Sequence, residues 1–202
     1  ALMTQHRVQI EALELDLTDP MFLDTLLAST EGKDIGLIVS NAGFGFKGLH
    51  HDHERGQLDA LVNVNARAPT LIANAFAPAL IGRGKGGLII TGSVEGFFSS
   101  PWSAAYAASK AYVHALGEAL WDELKPHGID VLVVAPGATD TENLKLQGFD
   151  AARMKNVMTP QQVAEMALAN IAKGPVYVTG GINRLMVRIL GLIPKRTRIS
   201  LV

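Results

Sequence analysis

With 202 residues, 48% of them hydrophobic, the chain is long enough for one domain with a sizeable core, and no composition break asks for two. Eighteen lysines and arginines against 19 acids give a formal net charge of −1, which leaves no electrostatic footprint for nucleic acid, and the lack of cysteine excludes disulfides and thiol catalysis. No apolar run reaches the roughly 18 residues of a membrane span, and the first residues hold no apolar signal core, so a reducing cytoplasmic setting is the simplest expectation.

Val8 to Leu15 alternates apolar and polar residues, which predicts a strand. It ends at Asp16-Leu17-Thr18-Asp19-Pro20, a rim followed by a helix start, and a helix to about Thr30 is expected. From residue type alone Asp16 is a turn-forming or capping acid. Ile35-Gly-Leu-Ile-Val39 is a continuous apolar run, the pattern of a parallel strand buried on both faces. Ser40-Asn41-Ala42-Gly43-Phe44-Gly45 closes it with small residues that let a ligand approach the backbone at a strand's carboxyl end; a flexible glycine loop has the same composition. Gly48-Leu-His-His-Asp-His53 holds three of the six histidines, but no cysteine or well-spaced carboxylate completes a tetrahedral set, so no metal site is assigned. From His53 to about Leu80 the pattern is helical, and Pro69 is expected to kink or locally unwind it one turn after Asn65.

Leu88-Ile-Ile-Thr91 reads as a short buried strand that Gly92-Ser93 breaks, which puts Ser93 on a strand rim. Val94 to Trp102 is an aromatic-rich loop, either one wall of an apolar pocket or core. From Trp102 to about Lys125 the pattern is helical. Tyr106 and Lys110 lie one turn apart on it, and Ala104, Ala105, Ala107, Ala108, Ala111 and Ala115 make a small-residue face. Ile129-Asp-Val-Leu-Val-Val-Ala135 is a further buried strand ending at Pro136-Gly137. Thr139 and Thr141 follow, and by residue type alone they are helix caps. Asn143 to Met158 lacks periodicity and is expected to form a lid. Thr159-Pro160 opens a capped helix to Ala172, and Val176 to Thr179 is a last short strand. The tail, residues 182–202, is apolar to Ile193 with Arg184 and Arg188 one turn apart, then basic over Pro194 to Arg198. Such a tail docks on the domain, lies over the pocket or rests on a membrane surface.

A hydroxyl, a phenol and an ammonium gathered at one rim suit carbonyl–alcohol redox chemistry. A phenol's ordinary pKa of about 10 is too high for a base at neutral pH, and an ammonium beside it is expected to lower that value. Tyr106 then exchanges a proton with a substrate oxygen that Ser93 holds, while a hydride moves to or from the adjacent carbon. An isolated Tyr-x-x-x-Lys is a weak signal.

Taken in chain order, Ser40-Asn41-Ala42-Gly43, Val62-Asn-Val-Asn65-Ala, Ser93, Tyr106-Ala-Ala-Ser-Lys110 and Pro136-Gly-Ala-Thr-Asp-Thr141 form a more specific set. On these residues the chain resembles the short-chain dehydrogenase/reductase family from about Val8 to about Gly181. The resemblance implies an α/β fold, a Rossmann-like doubly wound parallel sheet, and an NAD(P)-dependent oxidoreductase interconverting a ketone or aldehyde and an alcohol. It implies Asn65, Ser93, Tyr106 and Lys110 as the catalytic set, with Asn65 holding a water that links Lys110 to solvent. NADP or NAD would contact Asp16 and Leu17 at the adenine, Asn41, Ala42 and Gly43 after a strand, Tyr106 and Lys110 at the nicotinamide ribose, and Pro136, Gly137, Thr139 and Thr141 near the carboxamide. It further implies a homodimer or homotetramer, built on the small-residue helix face. The aromatic loop and apolar tail suggest an apolar carbonyl or alcohol substrate.

One departure stands out. The family opens with a strand, a Thr-Gly-x-x-x-Gly-x-Gly turn and a helix, then a second strand, and no segment here matches them. The expectation is a single, N-terminally incomplete domain lacking two βα units, its Val8 strand without a neighbour and its Ile35 strand with an open edge. The alternatives are a non-catalytic fragment serving as an oligomerisation or binding module, and a lyase or epimerase using the same tyrosine.

Overall fold

The structure, a computed structural model, describes residues 7–201. The chain divides into two compact units, one ending at Asp34 and the other starting at Ile35.

In the first unit, helix α1 (Phe22–Thr30) follows a turn that Asp16 organises. The Asp16 carboxylate accepts from the amide and the hydroxyl of Thr18, both at 2.8 Å, and these bonds hold its pKa below the ordinary carboxylate value. Lys33 pairs with Glu11. The strand predicted over residues 8–15 is not formed. Val8, Ile10 and Leu13 are 43–50% exposed, and no ladder is made. Alternation assigns side chains to faces, but a strand also needs a neighbour for its N–H and C=O groups.

The second unit is built on four parallel strands: β1 (Leu37–Ser40), β2 (Gly86–Thr91), β3 (Ile129–Ala135) and β4 (Val176–Val178), in the spatial order β1-β2-β3-β4. Their apolar runs bury both faces. Leu88 and Ile90 of β2 join Val131 and Val133 of β3 in one cluster, whereas Ile89, Leu132 and Val134 turn to the other side. Helices cover both faces, which makes the sheet doubly wound and Rossmann-like, as the resemblance implied. β1 departs from the expected burial. Among the described residues it pairs only with β2, and Leu37 and Val39 are 42% and 52% exposed, so the open edge expected beside this strand is seen there.

Helix α2 (Arg55–Val62) runs through a π turn (Asn63–Arg67) into α3 (Ala68–Arg83). The π turn is how the chain accommodates Pro69. The Ala68 N–H reaches back five residues to the Asn63 carbonyl, so the helix widens instead of breaking. Gly84, at φ 69°, ends α3 in the left-handed conformation and feeds β2. Helix α4 (Ala104–Leu124) leads through Gly128, at φ 75°, into β3. The segment expected as a lid contains the short α5 (Glu142–Leu146) and one 3₁₀ turn, and Thr139 bridges to Met158. Helix α6 (Pro160–Asn170) carries the expected cap, a reciprocal Thr159–Gln162 box. Helices α7 (Gly181–Leu192) and α8 (Lys195–Leu201) follow β4.

Helix α4 lies very close to the sheet. A Cβ added at Gly117 would fall 2.1 Å from Val133 Cγ2, and valine has little rotamer freedom to yield. Gly117→Ala is therefore expected to lower the unfolding free energy by about 1–3 kcal/mol through overpacking. Gly82, inside α3, has nothing within 4 Å of such a Cβ. There the same change is expected to be neutral or stabilising by up to about 1 kcal/mol. Urea unfolding of the two variants checks the contrast, and equal midpoints would contradict the close approach.

Candidate active site

The carboxyl ends of β1, β2 and β3 open into a cleft of about 860 Å³, with α4 along its wall. Thr91, the last residue of β2, anchors both neighbours. Its carbonyl accepts from the Lys110 ammonium at 2.8 Å, and its hydroxyl donates to Asn41 Oδ1 at 3.0 Å. Two residues on, Ser93 is extended, with φ −168° and ψ 156°, and caps a 3₁₀ turn (Val94–Phe97) by accepting the Glu95 N–H at 3.2 Å. That leaves the hydroxyl's own proton to give, and the Tyr106 phenol is its hydrogen-bonding neighbour.

Tyr106, Lys110 and His114 recur every four residues along α4 and share one face. All three are at least 92% buried. The loop after β1 is shaped around them by glycines. A Cβ at Gly45 would meet the Tyr106 ring at 2.6 Å, and one at Gly43 would stand 3.1 Å from both Lys110 Nζ and Asn65 Oδ1. Asn65, 1% exposed in the π turn, clamps that loop as a strand neighbour would. Its Oδ1 accepts the Phe44 N–H at 3.0 Å, and its Nδ2 donates to the Phe44 carbonyl at 2.8 Å and to Ser109 Oγ at 3.1 Å.

Burial governs the electrostatics. It pushes the Tyr106 phenol up to about 12; the Ser93 hydrogen bond pulls the other way, and the negative charge of Glu95 adds to the rise. Burial also brings Lys110 down to about 8. The expected lowering of the phenol by the ammonium is thus not found. The ammonium sits 5.7 Å from the ring centre and is engaged by the Thr91 carbonyl, and loss of solvent outweighs it.

Of the residues singled out from sequence, Asn41, Gly43, Ser93, Tyr106, Lys110, Pro136, Gly137, Thr139 and Thr141 all line the cleft. Asn65 stands behind Gly43, and Ala42 is exposed without lining the cleft. Asp16 and Leu17 belong to the first unit. The threonine hydroxyls point back along their own loop, Thr139 to the Gly137 carbonyl at 3.1 Å and Thr141 to the Thr139 carbonyl at 3.3 Å. Among the described residues, no group of three or more His, Asp or Glu side chains is placed to hold a metal, and His53 stacks on Phe46 instead.

Four participants were missed in the sequence. His114 accepts the Ser93 N–H on Nε2 at 3.4 Å and lies edge-on to Phe97, and burial, then the Lys110 charge, bring its pKa to about 4. Its ring fills the space that a Cβ at Gly92 or Gly96 would take. The four-residue step from Lys110 was a usable signal. Lys47 and Glu95 form a two-pronged ion pair at 2.8 and 3.0 Å on the cleft wall, and Asn143 Oδ1 accepts the Gly45 N–H at 3.1 Å. Both join loops far apart in the chain, and no spacing announces them.

The Lys110 shift carries a stability consequence. Between about pH 8 and 10.5 the unfolded chain holds a proton that folded Lys110 has lost, so this group makes stability rise with pH across that window. Below about 8 both states are charged and the cost of burying the ammonium is felt in full. Denaturation midpoints of wild type relative to Lys110→Met are expected to climb from pH 8 to 10.5; parallel curves would contradict a buried, depressed lysine.

The family model described as short chain dehydrogenase matches residues 1–150. Among curated proteins, the 7beta-hydroxysteroid dehydrogenase of Collinsella aerofaciens is 28% identical over 183 residues, covering 89% of this chain and 70% of that protein. The short-chain dehydrogenase from Sphingobium yanoikuyae, solved in complex with NADPH, superposes with a TM-score of 0.82 at 29% identity, over 96% of this chain and 80% of that one. A 7beta-hydroxysteroid dehydrogenase structure superposes with a TM-score of 0.89 over 99% of this chain and 79% of that one; at 24% identity it speaks to the fold alone. With the family model spanning well over half of its length, and a parallel sheet whose rim gathers the serine, tyrosine and lysine, the chain belongs to the short-chain dehydrogenase family.

Proposed function

We propose that the protein is an NAD(P)-dependent oxidoreductase that interconverts a ketone or aldehyde with an alcohol, with Tyr106 as the acid and base. The observation that carries this reading is the Ser93–Tyr106 pair at the end of β2, with the Lys110 ammonium tethered beside it. The cleft suits a dinucleotide's nicotinamide end: it opens at the strand termini, the Gly43 backbone comes close to Asn65 and Lys110, and Thr139 and Thr141 line the same cleft. When bound, the nicotinamide supplies or accepts the hydride.

The chain's own residues do the rest. Lys110 would hold the nicotinamide ribose, and Thr139 and Thr141, on turning from their own loop carbonyls, would hold the carboxamide. Ser93 donates a hydrogen bond to the substrate oxygen and fixes it beside the phenol. A phenol at about 12 is neutral at physiological pH, which suits it to give its proton to a carbonyl oxygen as that oxygen gains charge. In the other direction the phenolate form takes the alcohol proton and returns to the phenol as the hydride leaves the adjacent carbon. Leu144, Phe149, Met154 and Leu168 give the cleft an apolar side, which supports a bulky, apolar carbonyl substrate. Ala104, Ala108, Ala111 and Ala115 are exposed on the outer side of α4, and we assign self-association to that side.

Tyr106→Phe is the test. Turnover is expected to fall by about 10²–10⁴-fold, with NADPH affinity, read by fluorescence, changed by no more than a few-fold. Wild-type turnover in the variant would overturn the acid–base role. NADPH binding without turnover of any carbonyl in a broad panel would point instead to a binding module.

A further inference from the structure

Helix α7 is amphipathic the wrong way round for a helix packed on its own domain. Two of its three polar residues face inward. Asn183 donates to the Thr179 carbonyl at 2.9 Å, and Arg184 donates to the Tyr177 hydroxyl at 3.2 Å and the Val178 carbonyl at 3.1 Å while stacking over the Tyr177 ring. Its apolar residues face outward. Ile182, Leu185, Met186, Ile189 and Leu192 are 59%, 58%, 37%, 51% and 87% exposed. At about 100° per residue they fall on one stripe roughly 120° wide.

Charge identifies what covers it. Five of the chain's 18 lysines and arginines, and none of its 19 acids, fall in residues 181–202. Arg184 and Arg198 are engaged locally, the latter stacked over Phe98 and donating to the Leu190 carbonyl at 3.4 Å. Arg188, Lys195 and Arg196 are exposed. A second copy meeting this face across a two-fold axis would set cations against cations. Anionic lipid headgroups satisfy both features, because apolar side chains enter the acyl boundary while lysine and arginine reach phosphates. The 12 residues of α7 make a rod about 18 Å long, too short to span, and no helix among the described residues is long and apolar enough to cross a membrane.

We propose that α7 and the basic start of α8 form a peripheral docking surface for anionic membranes, with α7 lying in the plane of the interface. Helix α7 packs against the 3₁₀ turn that Ser93 caps, and Asn183 packs against Gly137 at the sheet rim, so the docking surface adjoins the cleft.

Co-sedimentation of the intact protein with vesicles tests this. Vesicles of equal parts phosphatidylcholine and phosphatidylglycerol are expected to pellet the protein at least about tenfold better than phosphatidylcholine alone, with binding lost as salt is raised. The Leu185→Asp/Ile189→Asp variant, and separately Arg188→Glu/Lys195→Glu/Arg196→Glu, are expected to cut pelleting by about tenfold or more with circular dichroism and thermal midpoint unchanged. Equal pelleting by wild type and both variants, or none on either vesicle, would overturn the proposal. So would a wild-type dimer that Leu185→Asp/Ile189→Asp dissolves in the absence of lipid binding, since the stripe would then be a contact between copies.

Discussion

The close seating of α4 on the sheet is the constraint from which the rest of the second unit follows. A helix normally stands off a sheet by the length of its side chains. Here Gly117 lets the α4 backbone settle against Val133, while Gly92 and Gly96 leave room for the His114 ring. With those contacts made, one face of α4 has a fixed height above the rim. Tyr106, Lys110 and His114 reach it in steps of one turn. Ser93 is then held from two sides, its amide by His114 and its hydroxyl between the Glu95 amide and the phenol.

The same seating sets the protonation states. Removing the phenol, the ammonium and the imidazole from water disfavours the charged form of each, and burial is the cause that lowers Lys110. The Thr91 carbonyl meets the ammonium at 2.8 Å. The rim therefore holds a neutral phenol and a lysine poised near neutrality. A bound substrate oxygen that gains negative charge would complete this arrangement better than solvent does.

Much of this was legible in the sequence because it rests on local rules. The apolar runs of β2 and β3, the capped helix start at Thr159-Pro160 and the four-residue step from Tyr106 to Lys110 all survive in the structure. The failures have physical causes too. Residues 8–15 alternate correctly, but alternation does not supply a ladder neighbour. β1 reads as a buried strand because its residues are apolar, and whether an apolar strand is covered depends on what lies beside it. Pro69 announced a disturbance but not its form, since a kink and a π turn both answer a missing N–H. Lys47 with Glu95, and Asn143 with Gly45, are meetings of loops that only the closed fold brings together. The phenol's pKa was misjudged in sign because the sequence shows which charges are near but not how much water is gone.

Helix α7 extends the logic to the surface. Asn183 and Arg184 fasten it to β4 and to the residues just after it, which leaves the apolar stripe outward. The site and this face share one end of the molecule's second unit, and the turn that Ser93 caps is where they meet.

The central claim is that the rim holds a substrate oxygen between Ser93 and Tyr106. A crystal structure with NADP and a bulky ketone or its alcohol tests it most directly. The substrate oxygen is expected within about 3.2 Å of both the Ser93 and the Tyr106 hydroxyl oxygens, with Lys110 still on the Thr91 carbonyl. A ligand oxygen lodged elsewhere in the cleft, with side chains packed between the two hydroxyls, would contradict the account.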